Sequence, residues 1–175
     1  MTRLHAEKGR LMGQKKADPG SAFRQGYSGA HAKIFEAANA VPRGLICLVS
    51  ALELHGVIST PSKKVWVAIA NKDRRPSKLP EFVRIVWMAE ASFSAGRVNY
   101  QLTGTAEVPT YSAAKAVVDC FKFRTQLQKE ESKVLSPPSL LRLANNRGRA
   151  YKSDIRHFAT ICRMSNVMSP YLEML

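Results

Sequence analysis

The sequence has few of the features that membrane proteins and disulfide-bonded proteins require. Its three cysteines, Cys47, Cys120 and Cys162, are widely spaced in apolar segments, which predicts reduced, buried thiols and no disulfide framework. No apolar run approaches the roughly 18 residues of a membrane span. The first twenty residues lack the apolar centre of a secretory signal. We therefore expect a cytoplasmic protein that does not interact with a membrane.

Motifs of metal and nucleotide chemistry are also missing. The sequence contains no CxxC, no HExxH and no histidine pair at helical spacing, so it predicts no metal site. It contains neither GxGxxG nor GxxxxGK[ST], the usual loops that bind nucleotide phosphates. We expect no cofactor, and we expect that the protein is not an enzyme.

The segment AKAVVDCFKFR (residues 114–124) places an aspartate next to a cysteine and could be mistaken for a reactive site. On a helix, Cys120 falls beside the apolar residues, whereas Lys115, Asp119 and Lys122 share the opposite face. This spacing predicts a buried structural cysteine and an ion-paired aspartate at the surface. A catalytic cysteine would need a nearby base or cation aimed at its sulfur, and the sequence ties no histidine to this helix.

One enzymatic alternative stays open. Asp119 is followed by Glu131-Ser132-Lys133, and metal-dependent nucleases often combine an aspartate with a Glu-x-Lys pair. In such enzymes the Glu-x-Lys pair lies on a strand, whereas the segment QLQKEESK is polar and more typical of a helix or loop. The nuclease hypothesis would assign roles to Asp119, Glu131 and Lys133.

Positive charge is the most informative property of the composition. Lysine and arginine number 27 against 13 aspartates and glutamates, which gives a net charge of +14. A folded domain this basic usually binds an acidic partner, and nucleic acid is the first candidate because phosphate contacts release counterions.

Two groups of basic residues are candidates for phosphate contacts. The first occupies a loop between two predicted strands, and the second a turn between two predicted helices. The alternative is that both are solvated and have no partner. Because aromatic residues do not interleave with either group, the sequence predicts no platform for base stacking. The predicted nucleic-acid-binding residues are Lys72, Arg74, Arg75, Lys78, Arg147, Arg149 and Lys152.

Hydrophobic periodicity predicts an α+β fold: a small mixed sheet with a hairpin, flanked by N-terminal helices and a C-terminal helical cluster. Residues 1–29 are predicted to be a mobile basic arm, and residues 30–175 a single domain. Helices are expected at 31–41 and 46–56, an interior strand at 64–70 and a second strand at 82–88. A hairpin is expected at 98–109 with its turn at Thr103-Gly104, and the remainder is expected to be helical.

Four segments resemble the C-terminal domain of the AbiEi family, the antitoxins of type IV toxin–antitoxin and abortive-infection systems. These segments, in the family's order, are RGLICLVSALELHG, KVWVAIANKDRRP, YSAAKAVVDCFKFR and ICRMSNVMSPYLEML. The segments lie within residues 43–175, and the resemblance is taken to extend from about residue 29 to the C-terminus. We expect residues 1–29 to hold no counterpart of the family's N-terminal winged helix, because they are too short and too polar. TQLQKEESKVLSPPS stands where the family usually has a long helix after the FKFR segment.

The resemblance implies a DNA-binding transcriptional autoregulator that takes part in phage defence. It implies opposition to a nucleotidyltransferase-like toxin from the neighbouring gene, without a stable complex between the two. It also implies that the basic surface around Lys72, Arg74 and Arg75 serves DNA binding and antitoxicity, with the promoter of its own operon as target. A second hypothesis is a protein-interaction module that neutralises the toxin or its target directly.

Overall fold

The structure, a computed structural model, describes residues 29–131 and 136–175. The predicted arm of residues 1–29 lies outside these ranges except for its last residue, which begins the first helix. The described helices are α1 (Gly29–Ala40), α2 (Leu48–Leu54), α3 (Glu90–Ser94), α4 (Ala113–Lys122), α5 (Arg124–Glu130), α6 (Pro137–Asn146), α7 (Lys152–Ile161) and α8 (Ser165–Glu173). The described strands are β1 (Leu45–Ile46), β2 (Val65–Ala70), β3 (Val83–Met88), β4 (Arg97–Thr103) and β5 (Ala106–Tyr111).

The five strands form one mixed sheet in the order β3-β2-β1-β5-β4. β1 is antiparallel to β2 and parallel to β5, and β4 and β5 form an antiparallel hairpin. β2 and β3 are parallel neighbours, so the chain must return from the end of β2 to the start of β3. Residues 71–82 make this return without a helix, and we call them the crossover loop.

Each face of the sheet carries its own hydrophobic cluster. The odd-numbered residues of β2 belong to a cluster under α1, and its even-numbered residues belong to a larger cluster with α2, α4 and α6 to α8. All six residues of β2 are buried, so the predicted interior strand is confirmed. With helices before and after the sheet, the predicted α+β fold is confirmed as well.

Two sequence-based boundaries need correction. The helix expected from residue 46 begins at Leu48, because Ile46 pairs with Val67 on one side and Thr110 on the other as part of β1. The hairpin turn is Gly104-Thr105 and not Thr103-Gly104, since Thr103 still pairs with Ala106. Gly104 adopts a φ of +55°, which glycine reaches more easily than other residues.

Candidate nucleic-acid interface

The backbone of the crossover loop is fixed to the sheet near both of its ends. Asn71 donates its N–H to the carbonyl of Met88 at 2.9 Å, and Val83 donates to the carbonyl of Pro80 at 2.9 Å. Leu79 and Phe82 pack against the cluster on the α1 side. These contacts hold the loop in place without using its charged side chains.

All four predicted interface residues of this loop are exposed. Lys72 forms an ion pair with Glu90, with 3.0 Å between the ammonium and the carboxylate. Arg74, Arg75 and Lys78 form no side-chain hydrogen bond or ion pair with any residue in 29–131 or 136–175. Three cations are therefore free for an anionic partner, while the fourth is already paired.

The acidic residue of the loop is neutralised from outside the loop. The Asp73 carboxylate lies 3.2 Å from the guanidinium of Arg43, which follows α1. Asp73 is 15% exposed and Arg43 is 80% exposed, so the carboxylate is the shielded partner. Arg74 and Arg75 therefore do not have to compete with an open carboxylate beside them.

Trp87 of the edge strand β3 lies against the crossover loop. Its indole Nε1 donates to the carbonyl of Asp73 at 3.3 Å, and 44% of the residue is exposed. No aromatic residue interleaves with the cations of this loop in the sequence, but the fold places Trp87 beside them. Sequence inspection missed it because Trp87 follows Asp73 by fourteen positions and is brought there by the parallel pairing of β3 with β2.

The second basic group lies at the α6–α7 turn. Arg147 directly follows α6 and donates from Nη1 to the carbonyl of Gly56 at 2.7 Å, so it is partly engaged within the fold. Arg149 is exposed and Lys152 is partly buried. Tyr151 stands between them in the sequence with 62% of the residue exposed, so the interpretation that no aromatic residue interleaves with either basic group is wrong for this one. Among the described residues, no hydrogen bond or ion pair joins this group to the crossover loop.

A pocket of about 500 Å³ adjoins the start of the crossover loop. Three cations line it, Arg43, Lys72 and Arg97. Asp73 and Glu90 also line it, and they pair with the first two. The guanidinium of Arg97 lies 4.4 Å from the centre of the Phe93 ring. The pocket is therefore largely charge-compensated, in contrast to the outer part of the loop.

The segment with adjacent aspartate and cysteine has a different environment from the predicted one. Lys115 and Asp119 are both fully buried, and the ammonium lies 2.7 and 2.6 Å from the two carboxylate oxygens. Cys162 donates from its sulfur to Asp119 at 3.8 Å, and Lys115 lies 4.4 Å from the Tyr111 ring centre. The predicted surface position of Asp119 is wrong because α2, α6 and α7 all pack against α4.

The cysteines are buried, as predicted. Desolvation raises the pKa of Cys47 and of Cys120 well above the ordinary thiol value. Burial also raises the pKa of Cys162, with Lys115 opposing the rise. Because the thiolate is the nucleophile, none of the three is activated for attack.

The residues of the nuclease hypothesis do not meet at a common site. Asp119 faces Lys115 and Cys162, as described above. Glu131 is 6% exposed and instead accepts hydrogen bonds from the hydroxyl of Ser62 and, at 3.1 Å, from the backbone N–H of Lys64. Lys133 lies outside the described residues. Within the described ranges, no group of three His, Cys, Asp or Glu side chains is arranged to hold a metal ion.

No protein-family model matches this chain, and no curated protein matches it. None of the helices in residues 29–131 and 136–175 is both long and apolar enough to cross a membrane.

Proposed function

We propose that this chain is a nucleic-acid-binding regulatory protein, acting as an antitoxin-like autoregulator that contacts DNA through the crossover loop. The observation that carries the proposal is the group of three exposed, unpaired cations, Arg74, Arg75 and Lys78, on a loop whose backbone is anchored. The neutralised Asp73 leaves this part of the surface strongly positive.

Phosphate binding is the chemistry that such a loop suits best. Guanidinium groups offer paired N–H donors that match two oxygens of one phosphate, and charge-assisted bonds of this kind are stronger than neutral ones. An anchored backbone also reduces the ordering that binding would otherwise require. Phosphate contacts position a protein on DNA and supply most of its non-specific affinity.

The antitoxin role rests on the resemblance of the four segments to the AbiEi family. KVWVAIANKDRRP covers β2 and the first part of the crossover loop, and RGLICLVSALELHG covers β1 and α2. YSAAKAVVDCFKFR builds α4, while ICRMSNVMSPYLEML covers the end of α7 and all of α8. On this proposal the helical segments are scaffold, and KVWVAIANKDRRP brings the functional cations to the surface.

DNA binding can be tested with two triple variants of equal charge loss. Arg74, Arg75 and Lys78 are changed to alanine in one, and the exposed cations Lys129, Arg142 and Arg156 in the other. We expect the loop variant to lose affinity for the promoter of its own operon and to show a shallower dependence of affinity on salt. Each lost phosphate contact lowers that slope by about 0.9 for duplex DNA. If both variants lose the same affinity, DNA is attracted by the net charge of the protein and not bound by the crossover loop in particular.

The regulatory role needs a cellular test. The toxin from the neighbouring gene is induced with the unmodified protein, with the loop variant or with the control variant. Growth rescue that is lost only in the loop variant supports an antitoxin acting through this surface. If rescue instead requires a stable complex with the toxin, seen as co-purification at micromolar concentration, the protein-interaction hypothesis replaces it.

A further inference from the structure

Only two aromatic residues are exposed among the twelve in residues 29–131 and 136–175, and both lie at basic groups. Trp87 contacts the crossover loop, and Tyr151 stands between Arg149 and Lys152. The other ten are buried or half-buried. A solvent-exposed tryptophan on a strand loses much of the stabilisation that burying its large apolar ring would give, which suggests a role other than packing.

We propose that Trp87 is a stacking platform for an unpaired base, so the crossover loop binds single-stranded nucleic acid more tightly than the duplex DNA that its cations contact. This inference rests on the proposed function, because it names the class of nucleic acid that the loop binds. Aromatic rings beside a positively charged groove are the common means of holding single strands, since every base offers a flat face.

The position of Trp87 suits this role. The indole N–H is bound to the carbonyl of Asp73, which lies between Lys72 and Arg74 in the chain. Asp73 is itself fixed, because its N–H donates to the carbonyl of Ala70 at 2.8 Å and its carboxylate is paired with Arg43. A base stacked on the ring would therefore have its phosphates beside the cations of the loop.

The surroundings of Trp87 favour a polyanion over a protein partner. Tryptophan and arginine are also common at protein interfaces, but the centres of those interfaces are depleted in charged residues as a whole and in lysine in particular. Here the ring adjoins a loop with four cations and one neutralised carboxylate. A paired duplex is a poorer ligand, because its base faces are covered and flipping a base out costs a few kcal/mol.

The experiment compares Trp87→Ala and Trp87→Phe with the unmodified protein. Four probes are used: oligo(dT), oligo(U), an abasic strand with the same number of phosphates, and a DNA duplex. We expect Trp87→Ala to bind oligo(dT) or oligo(U) about 5- to 100-fold more weakly, and Trp87→Phe to retain most of the affinity. Binding to the abasic strand and the duplex should not change. The first two probes separate a DNA ligand from an RNA ligand.

Fluorescence gives a second readout. The protein has two tryptophans, and Trp66 is fully buried. Single strands should quench the emission of the unmodified protein, whereas Trp87→Phe, which retains only Trp66, should show no quenching. The unchanged emission of Trp66 in that variant also reports that the fold is intact.

The other outcomes overturn the inference in distinguishable ways. If Trp87→Ala weakens all four probes equally, Trp87 merely supports the loop, and the proposed function survives. Equal affinity of the variant and the unmodified protein for oligo(dT) and oligo(U) also removes the stacking role alone. If the unmodified protein binds none of the probes and not its own promoter, the proposed function fails and the inference fails with it.

Discussion

Two regions of this protein hold the same kinds of charged residue in opposite environments. In the crossover loop, Lys72 and its neighbouring arginines are exposed, and most of them have no partner within the described ranges. In α4, Lys115 and Asp119 are fully enclosed and bind each other through two short contacts. The loop keeps its cations available, whereas α4 uses its cation entirely within the fold.

The difference shows that the role of a charged side chain depends on whether water surrounds it. In water, an ion pair gains little, because screening and side-chain entropy offset the attraction. In the core, each charge loses its hydration, and only a well-placed partner compensates for this loss. The α4 pair is therefore expected to matter for stability, and the loop cations for binding.

The largest expected effect comes from breaking the buried pair. Lys115→Met leaves the Asp119 carboxylate buried without its cation, and we expect the free energy of unfolding to fall by about 3–5 kcal/mol. Denaturant unfolding measures this change. The double variant Lys115→Met/Asp119→Leu removes both charges and should recover most of the loss. A double variant no better than Lys115→Met would mean that packing, and not the unpaired charge, sets the cost.

A matched pair of Gly→Ala variants tests how closely Gly96 packs against the side chain of Lys115. Gly96 has a φ of +71°, and a Cβ there would lie 2.8 Å from Cβ of Lys115 and 3.1 Å from Cε1 of Phe158. We expect Gly96→Ala to destabilise the fold by about 2 kcal/mol or more, through backbone strain and overlap. Gly104→Ala is the control, since its φ is +55° with no atom within 4 Å of the added Cβ. Gly104→Ala should show the cost of backbone strain alone. If both variants lose the same stability, steric overlap with Lys115 and Phe158 does not contribute at Gly96.

The buried pair should also affect the pH dependence of stability. Burial raises the pKa of Asp119 more than the attraction of Lys115 lowers it. Between the unfolded pKa of about 3.9 and the raised folded pKa, Asp119 keeps a proton in the folded protein that it has lost in the unfolded one. The contribution of Asp119 to stability therefore falls as pH rises through that range. We compare the unfolding free energy of the unmodified protein with that of the Lys115→Met/Asp119→Leu variant from pH 4 upward.

The difference between these two proteins is informative because their other carboxylates are shared and cancel. We expect the unmodified protein to lose stability relative to the variant as pH increases. A relative gain would mean that the attraction of Lys115 exceeds the cost of desolvation and that the pKa of Asp119 is lowered.

The same comparison shows how far the sequence could predict the fold and the site. The apolar run of β2 identified an interior strand, and the apolar neighbours of the cysteines identified them as buried, because the local sequence is enough to predict these features. Lys115 and Asp119 were misplaced because an i,i+4 pair has the same spacing at the surface and in the core. The packing of α2, α6 and α7 around α4 decides whether the pair lies at the surface or in the core. That packing depends on residues far away in the chain.

The candidate site was predictable in the same partial way. The cations of the crossover loop were visible as a polar, proline-containing segment between two apolar runs. The contact between Trp87 and Asp73 was not, since it follows from the parallel register that pairs Trp87 with Ile69. The neutralisation of Asp73 by Arg43 likewise joins residues from separate elements.

The smallest expected effect is a gain of binding in the crossover loop. Glu90→Gln removes the carboxylate that lies 3.0 Å from the ammonium of Lys72 and leaves a side chain of nearly the same size. With Lys72 free for phosphate, we expect affinity for nucleic acid to rise roughly 2- to 10-fold and the salt slope to steepen by up to about one. Stability should stay unchanged, because both side chains are mostly exposed.

Glu107→Gln, which removes an exposed carboxylate on β5, is the control. An equal gain in both variants would mean that only net charge changed, and that the Lys72–Glu90 pair does not limit binding.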